Sequence, residues 1–182
     1  MVQCLAVEVP IQGLDVRLGA EVSVTANSTA ANDTVIGANT LRGEYILVPS
    51  GAALYKPTGI EWKNGTVVNG STVAYLFTVD ANPAVDTFMA TVAWGQATQT
   101  GTSAVQRIGP KQLFSNLVAG GTILFAAIAT ASASGRYLTA TITSQTNSKG
   151  VTVGNAPIIG QGGAWTSTTE GPYMKVYFKA VR

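Results

Sequence analysis

The chain has 182 residues, of which 46% are hydrophobic and only 11% charged, and its formal net charge is +2. That length fits one domain spanning residues 1–182, able to hide roughly 70% of its unfolded surface without a disulfide or metal staple. The few cations are scattered, with no run of Lys or Arg, which excludes the basic stripe or arm that supplies most nucleic-acid affinity.

In chain order, the first run is residues 2–9, with Leu5, Val7 and Val9 on one side, closed by Pro10 and Gly13. Leu14 to Thr25 is apolar at every even position and polar or Gly at every odd one. Side chains of a strand alternate between faces, so this run predicts one dry and one wet face, with Glu21 on the wet one. Residues 26–34 form a small polar loop, and a strand restarts at Tyr45 to Val48 before Pro49. Asn64-Gly65 and Asn69-Gly70 predict tight hairpins around residues 66–68, because Asn-Gly supplies positive φ. Thr72 to Val79 aligns Val73, Tyr75, Phe77 and Val79, and Thr87 to Trp94 aligns Phe88, Ala90, Val92 and Trp94.

Beyond the loop 95–104, Pro110 and the shared face of Leu113, Phe114 and Leu117 predict one short helix over Lys111 to Val118. Thr122 to Thr130 is a near-continuous apolar run, read as a strand covered on both sides. A turn at Ser134-Gly135 predicts a hairpin between it and Arg136 to Thr143, with Leu138, Ala140 and Ile142 inward and Tyr137, Thr139 and Thr141 outward. Residues 144–172 contain only short pieces and a glycine-rich break. Tyr173 to Val181 closes the chain with Met174, Val176, Phe178 and Ala180 on one face and Lys175 and Lys179 on the other. About eight firm strands and one helix at most predict an all-β fold: a single jelly-roll or Greek-key barrel or sandwich.

The chemistry is defined by what is missing. The chain has no histidine and a single cysteine, Cys4, so Ser-His and Cys-His nucleophile pairs and zinc sites are out of reach. Cys4 has no basic neighbour to activate it and reads as an inert thiol. Asp80, Asn82 and Asp86 place oxygens at alternating spacing, as a calcium loop does, but Asp and Asn equally start turns. Glu8, Glu21, Glu44 and Glu61 could pair for glycoside hydrolysis or simply face solvent from their strands. Gly160-Gln161-Gly162-Gly163 lacks the Lys and following helix of a phosphate loop. The Asn-X-Ser/Thr matches at Asn27, Asn32, Asn64 and Asn69 read as chance in a chain rich in Asn and Thr. The start of the chain lacks a basic region, and no apolar run approaches the ~20 residues that span a bilayer.

Among the tryptophans, Trp94 shares an apolar strand face and is expected in the core. Trp62 and Trp165 lie in loop-rich segments and are the candidates for a sugar platform or an interface anchor. No catalytic, cofactor-binding or metal-binding residue is assigned, no cofactor is implied, and the interface residues are left open. The loops 26–43, 95–104 and 144–172 are the segments expected to meet neighbours.

Chain length, all-β patterning from end to end and the lack of a basic arm together resemble the small major capsid protein family of tailless icosahedral bacteriophages. These phages have an internal membrane and infect thermophilic hosts. The resemblance implies a viral structural protein rather than an enzyme: a jelly-roll barrel, made in the host cytoplasm and located in the virion. Its implied partners are itself, as a dimer or higher oligomer, and a second, larger capsid protein. It would sit near a viral membrane without entering it and would not touch nucleic acid directly. The alternatives are a carbohydrate- or receptor-binding β-sandwich, such as the head of a phage spike, and a decoration protein that clamps a finished capsid.

Overall fold

A computed structural model describes residues 17–26, 31–36, 40–66, 70–79, 88–130, 135–141, 145–146, 152–153, 156–159 and 165–182. The strands, in order, are β1 (Leu18–Ala26), β2 (Asn32–Val35), β3 (Leu41–Leu47), β4 (Leu54–Lys63), β5 (Ser71–Val79), β6 (Phe88–Thr98), β7 (Val105–Ile108), β8 (Phe114–Ser115), β9 (Val118–Ala119), β10 (Ile123–Thr130), β11 (Arg136–Thr141), β12 (Gln145–Thr146), β13 (Thr152–Val153), β14 (Ala156–Ile159), β15 (Trp165–Thr168), β16 (Glu170–Pro172) and β17 (Met174–Val181).

Two sheets hold most of them. The smaller has the order β1-β17-β4-β7, with β9 also on β4, and the larger has the order β15-β14-β3-β10-β5-β6-β8. Eight strands form nested antiparallel pairs: β1 with β17, β3 with β10, β4 with β7 and β5 with β6. Rolling that long hairpin over itself adds β17 against β4 and β10 against β5. This is the jelly-roll connectivity, two Greek keys in two facing sheets. The chain is therefore all-β, as its alternation predicts.

Each sheet turns one apolar face inward, and the two faces close on a single core. Ile60, Trp62, Val176 and Phe178 come from the smaller sheet, and Ile46, Leu76, Ala93, Leu124 and Ile128 from the larger. The alternation of β17 survives intact: Met174, Val176 and Phe178 are buried, while Lys175 and Lys179 face outward. The dry face predicted for β1 is dry only toward its end, where Val24 and Ala26 pack on the core. Leu18 and Val22 are exposed, because β1 is the margin of its sheet.

A third sheet, β16-β11-β2, is stitched to both others. Tyr137 belongs to the main core and shares a buried 2.7 Å hydrogen bond with Thr72 of β5, and it forms a bridge with Asn64 just past β4. This corrects two expectations. The apolar run 122–130 and the run 136–143 do not form a hairpin: β10 lies between β3 and β5, and β11 lies between β2 and β16. A strand apolar on both faces is best placed in mid-sheet, where neighbours cover it. The facing of β11 is also reversed, with Tyr137 and Thr139 buried. Their hydroxyls can go inside because each has a partner, Thr72 for Tyr137 and Thr34 for Thr139.

The helix expected over Lys111 to Val118 is also absent. The amides of Gln112 and Leu113 both donate to the Gly109 carbonyl in a single turn, after which β8 joins β6 and β9 joins β4. Eight residues form a marginal helix on their own, and strand partners on either side win. Asn64-Gly65 makes no hairpin turn. Asn64 is buried and accepts from Trp62 Nε1 at 3.0 Å, while its amide donates toward the Thr100 and Gly101 carbonyls and Gln106 Oε1. Burial also removes Asn64 as a glycosylation acceptor. Of the second predicted turn, Asn69 lies outside the described residues, and Gly70 has a positive φ of 88°.

Candidate functional site: the two outer sheet faces

The jelly roll leaves one outer face on each sheet, and the two differ sharply in chemistry. On the smaller sheet, Arg107 of β7 lies across β4 and β17 to reach Glu21 of β1. Its Nη2 donates to both Glu21 oxygens, at 3.0 and 2.9 Å, and its guanidinium carbon sits 3.6 Å from the Tyr177 ring centroid. Gly59, paired with Tyr177, makes this path possible, since a Cβ there would fall 2.7 Å from Arg107 Nε. Thr58 donates a further 2.7 Å hydrogen bond to Glu21. Burial pushes the Glu21 carboxyl up, but the Thr58 hydroxyl, Arg107 and Lys179 outweigh it and hold the group below its usual range.

Beside this lies a second knot. Glu61 accepts the hydroxyls of Tyr173 at 2.7 Å and Tyr177 at 2.6 Å. Burial and then the Glu61 carboxylate push both phenols up, Tyr177 to about 12. Lys63 stands over the Tyr173 ring and Lys175 over the Tyr177 ring, at 4.6 and 5.2 Å. The carboxylates Glu21 and Glu61 are thus brought onto one face, but each is engaged with neighbouring side chains.

Glu44 takes a different position. It is 4% exposed, on the inward side of β3, with its carboxyl against Gly171 of β16, where a Cβ would overlap it. Burial raises its pKa to about 8. Nearby on the same strand, burial lowers the Arg42 pKa and the charge of Glu170 opposes that shift, while Arg42 Nη1 is buried without a hydrogen-bond partner. Glu44 and Glu61 lie on different sheets, so the structure does not assemble them as an acid–base pair.

The outer face of the larger sheet is the opposite of the first. Tyr45, Phe125 and Phe77 are direct neighbours across β3, β10 and β5, and Tyr75 stacks on Phe77 with ring centroids 5.2 Å apart. The adjacent row runs Gly43, Ala127, Tyr75, Trp94, Phe114 over five strands. No side chain in either row is charged. Phe125 and Ala127 are buried in a second small cluster, whereas Trp94 is 44% and Phe114 59% exposed.

Here the reading of the tryptophans is reversed. Trp62 is fully buried in the main core, and Trp94 projects outward. A register shift between Leu76 and Phe77 leaves Val92 as an extra residue of β6, so Val92 and Ala93 both face inward and the next residue, Trp94, faces out. Nothing in the alternation of Phe88, Ala90, Val92 and Trp94 marks such a bulge. The side chain of Trp165, and the segments holding Cys4, Glu8, residues 80–86 and residues 160–163, lie outside the described residues. Among the described residues no group of three His, Cys, Asp or Glu side chains could hold a metal ion.

Comparison of the chain with protein-family models, with curated proteins and with solved structures gives no significant match.

Proposed function

We propose that this protein is a structural building block: a capsid subunit that associates with copies of itself and with a larger coat protein in a virion, and that acts by shape rather than by catalysis. The observation that carries this reading is the uncharged, exposed Trp94–Phe114 pair on the outer face of the larger sheet, set against an opposite face where Glu21, Arg107 and Glu61 are engaged within the subunit. A surface without charge loses little on desolvation when it meets a neighbour, and aromatic side chains dominate interface energetics. Jelly rolls serve in viral capsids, lectins and cupins alike, so the fold supports the proposal without deciding it.

Light scattering across a concentration series, with electron microscopy of the same samples, tests the proposal. Oligomers or closed particles are the expected result. A monomer at every concentration, together with no co-assembly when a larger coat protein is supplied, overturns it. One observation favours a second reading as a carbohydrate-binding module: Trp94 presents an exposed aromatic surface on a sheet face. Heat on titration with a glycan panel, lost in Trp94→Ala, would select that reading.

A further inference from the structure

Asn64-Gly65 makes no turn, yet the fold needs both residues. Asn64 is fully buried, and its carboxamide is clasped: the oxygen accepts from Trp62 Nε1, and the nitrogen donates toward the Thr100 and Gly101 carbonyls and Gln106 Oε1. Gly65 runs so close to β2 and β11 that a Cβ would overlap Asp33 Oδ1 and stand 2.7 Å from Arg136 Cβ. Together these two demands write the dipeptide most prone to deamidation, because an unhindered glycine amide can reach the preceding side chain; Asn is a thermolabile residue for this reason. We infer that Asn64-Gly65 is a latent modification site, shut in the folded subunit and open in the unfolded one, whose reaction with water leaves a chain that cannot refold.

Water is the one co-reactant. The Gly65 nitrogen gives its proton to solvent base and attacks Asn64 Cγ. The new N–C bond closes a cyclic imide as the Cγ–Nδ2 bond breaks, and ammonia leaves with a proton taken from solvent. Water then opens either imide carbonyl, giving aspartate or isoaspartate at position 64. The fold blocks the first step at both reacting atoms. The Gly65 N–H is donated to the Arg136 carbonyl at 2.7 Å, which opposes its loss of a proton, and the Gly65 carbonyl accepts from Ser103, held at a φ of 52°. Cγ is fixed between Trp62 on one side and the loop 99–104 on the other, and the Asn64 N–H is itself tied to the Ala104 carbonyl at 2.9 Å. The gate is therefore the joint release of β11 and that loop, a local opening of the fold. Once the reaction has run, the Thr100 and Gly101 carbonyls have lost their donor and a charge stands in a fully buried site, so the native packing is barred to that chain.

The test ages the wild-type chain at mildly alkaline pH, native and in guanidinium chloride, and follows the amide-to-acid mass change by tandem mass spectrometry of its peptides. In denaturant, position 64 should convert about as fast as Asn69, which also precedes glycine, and faster than Asn116, which precedes Leu117. In the native sample, conversion at 64 should be slower than in denaturant by about a hundredfold or more. When denaturant is removed from the aged sample, chains converted at 64 should be depleted about tenfold or more from the folded fraction isolated by size exclusion. Native conversion at the denatured rate overturns the gate. Conversion in denaturant no faster than at Asn116 overturns the site itself. Converted chains recovered in the folded fraction as readily as unconverted ones overturn the claim that the change bars refolding.

Discussion

Arg107 stacks on Tyr177 across a gap that residue 59 leaves open. The guanidinium lies 3.6 Å above the ring, and the strand between their two strands carries Gly59 at the crossing point. One missing side chain in β4 therefore lets an arginine on one margin of the sheet reach a glutamate on the other, binding four strands through a single residue.

Gly59→Ala should dislodge Arg107, because the added Cβ would sit 2.7 Å from its Nε. A loss of about 1–2 kcal/mol is expected by urea denaturation, part of it from the Ile108 carbonyl, 3.0 Å from the same Cβ. In an Arg107→Ala background the same change should cost less, with a coupling of roughly 0.5–1 kcal/mol. Full additivity would show that the slot and the arginine are independent.

Glu61 is the common acceptor of two tyrosine hydroxyls. Glu61→Ala should destabilise the chain by about 2–3 kcal/mol, since hydrogen bonds to charged groups contribute more than neutral ones. Tyr173→Phe and Tyr177→Phe should each cost about 1 kcal/mol in the native background and almost nothing once Glu61 is gone. Denaturation curves of wild type and the five variants, the two double variants included, measure this directly.

The proton held by Glu44 makes stability depend on pH. Burial raises its folded-state pKa to about 8, against 4.5 when unfolded. Between those values the folded chain keeps a proton that the unfolded chain releases. The stabilisation is therefore complete below about pH 4.5, is lost progressively as pH rises, and is gone above about pH 8. The change over that window is on the order of 5 kcal/mol. Arg42 lies two residues away on the same strand, and Glu170 precedes Gly171, which touches the Glu44 carboxyl, on β16. Glu44→Gln should flatten the slope between about pH 5 and about pH 8.5. A variant with the wild-type slope would place the titrating group elsewhere.

Trp62 and Trp94 should respond in opposite ways. Trp62→Ala empties a fully buried site and removes the donor to Asn64, for an expected loss of about 3–5 kcal/mol. Trp94→Ala removes an exposed side chain and should change the stability of the isolated subunit by under about 1 kcal/mol. Equal losses would contradict the outward turn at Val92.

Much of the jelly roll was legible in the linear pattern, and the reasons for the misses are physical. β17 reads correctly because it is flanked on both sides by strands and keeps its alternation unbroken. β10 reads correctly as a doubly covered strand because Leu124 to Ile128 contains no polar residue. The errors fall where a local rule met a distant partner. Phe114 and Leu117 look helical until β6 and β4 claim their neighbours. Tyr137 and Thr139 look outward until Thr72 and Thr34 satisfy their hydroxyls. The polar knot of Glu21, Arg107, Glu61 and Tyr177 joins residues up to 156 positions apart (21 to 177), and no spacing announces it.

Taken alone, the sequence determined that this chain folds as sheets around one apolar interior, because period-two alternation can bury its dry positions only in strands. Only the tertiary structure decided which face of each strand is inward and which residues meet, because pairing is set by contacts between distant segments. A single extra residue in one of them, Val92, was enough to turn Trp94 from the core to the surface.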